Sequence, residues 1–334
     1  MKHIFIINPA AGKGKAGKVF LPKILETVKK LGIEYELHRT MGTGDATNFV
    51  RGRCEASKNQ GQQGETLRFY ACGGDGTLNE VANGAFGYDN VEIAMIPTGT
   101  GNDFVRNFSD SKGFLDVERQ INGKAISIDL IKYEETKREE VKSGIVAEDE
   151  SAMAKNNNTS YGINMFNIGL DSSVAVKAAE YKKYFMISGS MAYGLGVGVV
   201  LISKEIVNLD IEFDDRKKYT GNIALIAIAN GCYCGGGFKA VPHAKLDDGL
   251  MDVSIVQDVN RRTLISILAK YKKGTHLEDK KHKEIFTYKK CKSLTITPKL
   301  DLKLCTDGEI SQTGKLRFEI MPNAMKFSLP QGCE

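Results

Sequence analysis

The first third of the chain alternates strand-like runs with segments whose apolar residues recur at helical spacing. The predicted strands are IFII, YELHR, LRFYAC and VEIAMI. Between the first two, Val19, Ile24 and Val28 lie on one face of a predicted helix that ends at Gly32. Further helices are predicted over residues 45–54, 77–84 and 114–121. Such alternation is typical of a parallel sheet covered by helices on both faces.

The rest of the chain is rich in β-branched and aromatic runs separated by turns, which is typical of an antiparallel sheet. These runs are AISIDLIKY, YGINMFNIG, VNLDIEFDD, YTGNIALIAIAN, MDVSIVQD, FTYKKCKSLTIT and LRFEIMP. A charged stretch over residues 134–159 interrupts them and is predicted to be a loop or a projecting hairpin. We therefore predict an α/β fold with a doubly wound nucleotide-binding domain over residues 1–128. An antiparallel domain over residues 129–334 follows, and its last strand is allowed to return to the first domain.

The composition is that of an ordinary globular protein, and 334 residues favour two domains over one. The net charge of +5 is mild and fits an anionic substrate or membrane surface, although lysine clusters such as KYKK are also typical of solvated faces. Seven scattered cysteines provide neither zinc-site spacing nor a disulfide framework, which favours the reducing cytoplasm. The absence of an apolar leader before the first strand argues against secretion.

One uncharged segment, residues 185–203, is long enough to be considered as a membrane span. Its glycines and serines lower its hydropathy, and no second span accompanies it. A buried helix or two packed pieces is therefore favoured over a membrane span. We expect a cytoplasmic protein without a transmembrane segment.

The loop NPAAGKGKAGK follows the first predicted strand and is compatible with more than one kind of phosphate loop. Gly12, Gly14 and Gly17 spell the GxGxxG pattern of a dinucleotide fold. Gly12, Gly17 and Lys18 nearly complete a P-loop, but Val19 stands where a P-loop needs a hydroxyl group for magnesium. The loop by itself leaves the choice open.

The segment ACGGDGTLNEVANG carries the clearest chemical signal. Its glycines let a phosphate approach the backbone, and the start of the following helix supplies free N–H donors. Asp75 would repel a phosphate unless a cation lay between them, so its position suggests magnesium. The alternative for Asp75 is an ordinary turn with an aspartate cap.

A second glycine-rich loop, IPTGTGNDFVRN, follows the neighbouring predicted strand and would face the same crevice. Thr98 and Thr100 offer hydroxyl groups to a phosphate. Asp103 would either help to hold an ion or cap the next helix. Two such loops at one sheet edge favour a nucleotide site over a pair of unrelated turns.

Together these motifs resemble the diacylglycerol kinase catalytic domain family, which includes bacterial lipid kinases, sphingosine kinases and ceramide kinases. NPAAGKG, TGDA, GGDGTLNEVANG and PTGTGNDF resemble its successive nucleotide motifs. NIGLDSSV, GGGFKAVPHAKLDDGLMDV and CTDGE resemble later segments of its bacterial members. The resemblance implies a Rossmann-like, NAD kinase-like nucleotide domain, a C-terminal β-sandwich, ATP as phosphoryl donor and Mg²⁺ as cofactor. The opening loop is then a lipid-kinase nucleotide loop.

The resemblance also implies specific site residues. Those near the nucleotide are Asn8, Gly12, Thr43, Gly73, Gly74, Asp75, Gly76, Thr77, Glu80, Thr98, Gly99, Thr100, Asn102 and Asp103. A structural magnesium, linked through water to Asp75, would be bound by Asp247, Asp248 and the Leu250 carbonyl. His243 stands where the family often has an aspartate, which is a departure at the edge of this metal site. Asp307 takes the role of general base, with Glu309 close behind.

The expected function is therefore ATP-dependent transfer of the γ-phosphoryl group to a lipid hydroxyl, with diacylglycerol as the favoured acceptor. The lipid would be reached by peripheral contact with a membrane surface, no nucleic acid is expected, and a homodimer is left open. Three alternatives remain at this stage. They are an NAD kinase, a dinucleotide-dependent oxidoreductase whose ribose is held by Glu34 or Glu36, and a nucleotide-regulated membrane adaptor.

Overall fold

The computed structural model describes residues 1–14, 16–59, 65–136, 158–169, 206–300, 302–307 and 309–333. The first elements are β1 (Lys2–Ile7), α1 (Leu21–Leu31), β2 (Tyr35–Arg39), α2 (Asp45–Asn59), β3 (Leu67–Gly73), α3 (Asp75–Ala85), β4 (Val91–Pro97) and α4 (Val117–Ile121). They are followed by β5 (Lys124–Thr136), β6 (Asn158–Gly162), β7 (Met165–Gly169), β8 (Val207–Phe213), β9 (Lys218–Ala229), β10 (Met251–Gln257), α5 (Arg261–Lys273), β11 (Phe286–Cys291), β12 (Ser293–Pro298), β13 (Leu302–Thr306), β14 (Glu309–Thr313) and β15 (Lys315–Leu329). Short helical turns lie at Ala11–Lys13, Ala16–Phe20, Phe104–Asn107, Gly113–Leu115, His276–Glu278 and Lys283–Ile285.

The uncharged segment over residues 185–203 and the charged stretch from residue 137 to 157 lie outside the described residues. The predictions made for these two segments therefore stay predictions. Among the helices that the structure does describe, none is both long and apolar enough to cross a lipid bilayer.

A parallel sheet in the order β2-β1-β3-β4 forms the first part of the molecule. Side chains of successive strand residues point to opposite faces, so one face of β1 and β3 presents Phe5 and Tyr70 to Ile24 of α1. The other face presents Ile6 to α3, where Leu78 is fully buried. The prediction of a parallel sheet with helices on both faces is confirmed.

Glycine ends the first helix as the sequence predicts. Gly32 has φ 63°, in the left-handed region, and its N–H bonds to the carbonyl groups of Lys29 and Val28. A residue without Cβ adopts this conformation with little strain, so the chain turns there towards β2.

The strands from β5 to β14 pair antiparallel, as predicted, and enclose an apolar core. Phe166, Ile228, Val253, Ile296 and Phe318 are fully buried there. The α/β fold class with an antiparallel second part is confirmed by this arrangement.

Strand β15 runs through both parts of the molecule. Its first half pairs with β12, its second half lies parallel to β4 with Phe327 opposite Ile93, and β5 pairs along nearly its whole length. A bulge between Met321 and Met325 divides the two halves of β15. The boundary predicted at residue 128 falls inside β5, so two long strands rather than a linker join the two parts.

Helix α5 was not predicted from the sequence, where its lysines were interpreted as a solvated face. Leu264, Ile267 and Tyr271 are nevertheless buried at helical spacing. The Asn260 side chain caps the first turn by accepting the N–H of Thr263 at 2.9 Å. The apolar spacing was present in the sequence, but the run of charged residues obscured it.

Candidate active site

Three loops meet at the carboxyl edge of the parallel sheet, because β1, β3 and β4 are neighbours and run in the same direction. The loops after β3 and β4 are in direct backbone contact. The N–H groups of Thr98 and Gly99 donate to the Gly73 carbonyl at 2.8 and 3.1 Å. A Cβ atom on Gly99 would lie 2.5 Å from the Gly74 Cα, so only glycine permits this approach.

The loop after β1 is joined to the start of α3 by Asn8. The Asn8 Nδ2 donates to the Thr77 hydroxyl at 2.9 Å, while its Oδ1 accepts the N–H of Ala10 at 3.0 Å. The Thr77 side chain covers Gly73, where a Cβ atom would clash with it. Gly12 has φ 55° in the turn that follows. These contacts bring Asn8, Gly12, Gly73 and Thr77 to one place, with Gly76 in the first turn of α3.

Glu80, on α3, binds the backbone at the start of α2. Its two carboxylate oxygens accept the N–H groups of Gly44 and Ala46 at 3.0 and 3.1 Å, at the start of α2. The loop that carries Thr43 is thereby held beside α3, and Thr43 itself is exposed. Glu80 therefore orders the loop that carries the predicted second motif, and both of its oxygens are occupied in doing so.

Asp75 and Asp103 lie on either side of Gly101. A Cβ atom on Gly101 would be 3.1 Å from Asp75 Oδ2 and 3.4 Å from Asp103 Oδ2. Burial raises the pKa of Asp75, although the N–H of Phe104 donates to its Oδ1 at 3.1 Å. Burial and then the charge of Asp75 raise the pKa of Asp103 to about 7. Two buried carboxylates close together, one of which raises the pKa of the other, suit a cation.

Asp103 also contacts a glycine-rich loop of the antiparallel part. The Gly236 N–H donates to Asp103 Oδ2 at 2.8 Å, and Arg106 Nε lies 3.2 Å from Asp103 Oδ1. Arg106 in addition donates to the Gly101 carbonyl at 3.3 Å. Neither Arg106 nor Gly236 was predicted to be a site residue, although Gly236 stands in a segment that carries the family resemblance and Arg106 follows another by two residues.

Two polar side chains of the loop after β4 are buried without hydrogen-bond partners at one atom. Among the described residues no partner exists for Thr98 Oγ1 or Asn102 Oδ1. Asn102 has φ 50° and donates from Nδ2 to the Gly99 carbonyl at 3.0 Å. Thr100 lies in the same loop and is exposed. Buried unpartnered acceptors beside a glycine loop are typical of a site that a ligand completes.

Asp307 follows β13, at the other end of the sequence, and lies against α3. Its φ is 46° and its side chain is buried. Four N–H groups reach its carboxylate: Oδ2 accepts from Asn79 Nδ2 at 2.6 Å and from the Ile163 backbone at 2.9 Å. Oδ1 accepts from the backbone of Asn164 at 3.1 Å and of Met165 at 2.7 Å.

Burial raises the pKa of Asp307 to about 6. The hydrogen bonds from Met165, Ile163 and Asn79 lower this pKa, and the charge of Asp75 raises it. Asn79, which binds Asp307, lies one turn after Asp75 on α3, so the two aspartates approach each other although 232 positions separate them in the sequence. The structure thus brings Asp307, from the C-terminal part of the chain, close to the glycine loops after β3 and β4. Glu309 begins β14, two residues further on, and its side chain lies outside the described atoms.

Asn79 and Asn83 belong to the site, and the sequence analysis did not assign them a role. Asn79 binds Asp307, and Asn83 donates to Asn79 Oδ1 at 2.7 Å. Asn83 also exchanges two hydrogen bonds with the Tyr161 backbone, at 2.8 and 3.0 Å. Asp75, Asn79 and Asn83 recur every four residues, so they share one face of the predicted helix. That spacing was a usable signal.

The predicted structural-magnesium residues have a different environment. Lys290 Nζ lies 2.6 Å from Asp248 Oδ2, and the N–H of Leu250 donates to Asp248 Oδ1 at 3.1 Å. Asp247 is exposed. Within the described residues no three His, Cys, Asp or Glu side chains are grouped to bind a metal ion. An ammonium group beside Asp248 does not fit a divalent cation at the same carboxylate.

Comparison with known families gives two matches along the chain. The diacylglycerol kinase catalytic domain matches residues 2–133. The YegS C-terminal NAD kinase beta sandwich-like domain matches residues 164–328. The first match contains the three glycine loops, and the second contains the strands around the antiparallel core.

Individual relatives agree with these matches. A diacylglycerol kinase of Staphylococcus saprophyticus is 32% identical over 315 residues, which cover 93% of this chain and 89% of that protein. A crystal structure from Bacillus anthracis strain Sterne superposes with a TM-score of 0.70 at 24% identity, covering 98% of this chain and 96% of the other. A second structure from that strain, a diacylglycerol kinase, gives a TM-score of 0.63 at 20% identity over the same shares. The two structures support the fold.

Proposed function

The chain belongs to the diacylglycerol kinase family, and from that premise we propose that it transfers the γ-phosphoryl group of ATP to the hydroxyl group of a lipid. Diacylglycerol is the proposed acceptor, which would give phosphatidic acid. One observation carries the proposal: the buried Asp307, from the end of the chain, accepts a hydrogen bond at 2.6 Å from Asn79, one turn after Asp75 on the helix that follows a glycine loop. A phosphoryl acceptor and a phosphoryl donor need such a shared crevice.

The glycine loops supply the binding groups for a triphosphate. Gly73, Gly74 and Gly99 let the backbone approach closely, and the first turn of α3 offers N–H groups with a partial positive charge. Phosphoryl transfer depends mainly on such positioning and on neutralising charge.

Asp75 and Asp103 fit a magnesium ion that accompanies the nucleotide. Their pKa values are raised by burial and, for Asp103, by the charge of its neighbour, which a cation would relieve. When bound there, Mg²⁺ would neutralise part of the phosphate charge. Arg106 and the Gly236 N–H keep the Asp103 carboxylate oriented towards this place.

Asp307 is the proposed acceptor of the hydroxyl proton. With a pKa of about 6 it is ionised at neutral pH and still basic enough to act. Its four N–H partners occupy the four lone-pair directions of the carboxylate, so one must leave before Asp307 accepts a proton. Asn79 is the only side-chain donor of the four. We propose that Asn79 releases Asp307 when substrates bind.

A direct assay tests the function. Purified protein is incubated with γ-labelled ATP, Mg²⁺ and either vesicles containing diacylglycerol or free NAD, and labelled products are separated. The proposal expects labelled phosphatidic acid and no labelled NADP. Label in NADP alone would show that the second substrate is a soluble nucleotide. ATP binding without any labelled product, from a folded protein, would contradict phosphoryl transfer altogether.

A peripheral membrane contact is proposed for helix α5. Arg261, Arg262 and Ile265 are exposed on this helix, and Ile265 has 57% of its surface accessible. Lysines cluster in its last turn, at Lys270, Lys272 and Lys273. Basic side chains around an exposed apolar residue suit an anionic bilayer surface. Sedimentation with phosphatidylglycerol vesicles should decrease as salt rises, and Arg261→Glu with Arg262→Glu should abolish it.

A further inference from the structure

Lys290 is bound between two aspartates at the turn that precedes β10. Asp252 on β10 stands directly opposite Lys290 on β11 in the strand register. The Lys290 Nζ lies 2.6 Å from Asp248 Oδ2 and 3.2 Å from Asp252 Oδ2. Asp252 is completely buried, and Asp248 has 23% of its side chain accessible. The ammonium group therefore bridges two carboxylates in a largely buried place.

The remaining oxygens of these carboxylates also have donors from the chain. The Tyr288 hydroxyl donates to Asp252 Oδ1 at 2.6 Å, and the Leu250 N–H donates to Asp248 Oδ1 at 3.1 Å. Three of the four oxygens therefore accept a hydrogen bond, and the fourth, Asp252 Oδ2, lies 3.2 Å from the ammonium group without an aligned hydrogen bond. A divalent cation bound by these carboxylates would lie beside the Lys290 ammonium group and be repelled by its positive charge.

The backbone of the turn is held by Asp129, independently of Asp248. The completely buried Asp129 accepts the Gly249 N–H at Oδ2 and the Asn323 N–H at Oδ1, at 2.7 and 2.8 Å. Its own N–H donates to the Leu246 carbonyl at 2.6 Å. The turn is thereby fixed to β5 and β15 at both of its ends.

His243 is a further difference between this turn and the metal site that the family resemblance implies. It is exposed, and its ring lies edge-on to Tyr288 with the ring centres 5.5 Å apart. Hard cations such as Mg²⁺ prefer oxygen ligands, and imidazole supplies nitrogen. At the position of His243 this chain therefore lacks the carboxylate ligand that an aspartate would supply.

We propose that the Lys290 ammonium group is the resident cation of this turn and takes the place of a structural divalent ion. Its single positive charge is shared by Asp248 and Asp252, while Asp129 fixes the backbone. The turn then folds and keeps its shape in the absence of divalent metal. This role is separate from any magnesium that accompanies the nucleotide at Asp75.

Thermal unfolding and metal analysis test the proposal without an activity assay. The nucleotide-free protein carries Asp103→Asn, which removes a carboxylate of the other candidate metal site and leaves Asp75 unchanged. Its Tm in EDTA and in millimolar magnesium chloride should agree within about 1 °C. After desalting it should retain no stoichiometric magnesium or calcium.

Lysine variants give the second measurement. Lys290→Met leaves two carboxylates without their cation, so its Tm in EDTA should fall by about 5 °C or more. Lys289→Met is the matched control. Lys289, the neighbour of Lys290 on β11, pairs with Asp215, which is 40% accessible, so this variant should lose about 1 °C or less.

Two results would overturn the proposal. One is about one divalent ion per chain that Asp248→Asn removes, since that places a metal at the turn. The other is a Lys290→Met protein whose Tm in EDTA equals that of its parent. If Lys290→Met does not yield folded protein, the metal content and the EDTA comparison of the parent still decide between lysine and metal.

Discussion

Two acidic regions of the molecule place carboxylates beside a glycine, but they differ in what surrounds the charges. At the glycine loops, Asp75 and Asp103 flank Gly101, and the pKa of each is raised by burial. At the turn before β10, Asp248 and Asp252 share the ammonium group of Lys290. In the first region Arg106 contacts Asp103, but Asp75 has no ion pair among the described residues, whereas in the second Lys290 contacts both carboxylates.

The difference separates a site that a ligand completes from one that the chain completes. Buried charges without compensation cost stability and are kept where a ligand makes use of them. The unpartnered Thr98 Oγ1 and Asn102 Oδ1 are at the same loops. The turn before β10 shows that an acidic sequence such as LDDGLMD, taken alone, does not predict a metal site.

The largest expected effect is that of Asp307→Asn. The change removes the proposed proton acceptor, so kcat should fall by roughly two or more orders of magnitude. An amide presents one acceptor oxygen to the four N–H groups that contact Asp307, so two of them lose their partner and a lower Tm is also expected. ATP binding by titration calorimetry, measured below the lowered Tm, should persist. Near-normal turnover of a folded variant would remove Asp307 from the mechanism.

The second-largest effect is on the magnesium dependence of activity, which should differ between variants of the two regions. Asp75→Asn should raise the Mg²⁺ concentration for half-maximal activity by about tenfold or more, because a ligand of the proposed nucleotide-associated ion is lost. Asp248→Asn should leave that concentration unchanged, since Lys290 is its partner. A magnesium titration of initial rates gives both values. Equal shifts in the two variants would mean that the regions bind the same ion.

A smaller effect tests the close approach of the two glycine loops. Gly99→Ala puts a methyl group 2.5 Å from the Gly74 Cα, so the loops must separate, at a cost of about 1–3 kcal/mol. ATP affinity measured by titration should fall with it. Gly17→Ala is the control, because a Cβ atom there has no neighbour within 4 Å. If Gly99→Ala binds ATP as tightly as Gly17→Ala, the contact between the loops does not shape the site.

The same type of substitution should have opposite effects on stability in the two regions. The folded-state pKa of Asp103, about 7, exceeds that of an unfolded aspartate, so its ionisation destabilises the fold as pH rises from about 4 to 7. Asp103→Asn should therefore raise Tm by about 3 °C at pH 8 and have little effect at pH 4. Asp248→Asn should lower Tm at pH 8 by about 2 °C, since it breaks the ion pair with Lys290. Calorimetry at pH 4 and pH 8 measures the Tm of both variants. Tm changes of the same sign at pH 8 would contradict the proposed difference between the two regions.

Local sequence pattern was sufficient for much of the fold. Strands β1, β3 and β4 are continuous apolar runs because helices cover both faces of their sheet, and Gly32 ends α1 because its φ is positive. Helix α5 was missed because charged residues at both of its ends obscure the spacing of its buried residues, Leu264, Ile267 and Tyr271. The path of β15 through both parts depends on pairing between residues far apart in sequence, which periodicity does not contain.

The site was predictable where its chemistry is local and not where it depends on distant partners. The glycine loops are visible as motifs because close backbone approach requires glycine. That Glu80 orders the loop at Gly44, and that Lys290 neutralises Asp248, depends on side chains brought together by folding. Asn79 stood at helical spacing from Asp75, yet its partner Asp307 is known only from the tertiary structure.

The smallest effect concerns Asn79 and the pH dependence of the reaction. Protonation of Asp307, with its pKa of about 6, should reduce kcat/KM as pH falls through 6. The Asn79 hydrogen bond lowers this pKa, so Asn79→Ala should move the acidic limb to higher pH by less than about one unit. The direction in which the acidic limb moves distinguishes a positioning role of Asn79 from a loss of structure. A loss of structure would lower kcat/KM at every pH without moving the limb. A profile from pH 5 to 9 measures it; an unmoved limb, or one displaced to lower pH, would separate Asn79 from the ionisation that controls the reaction.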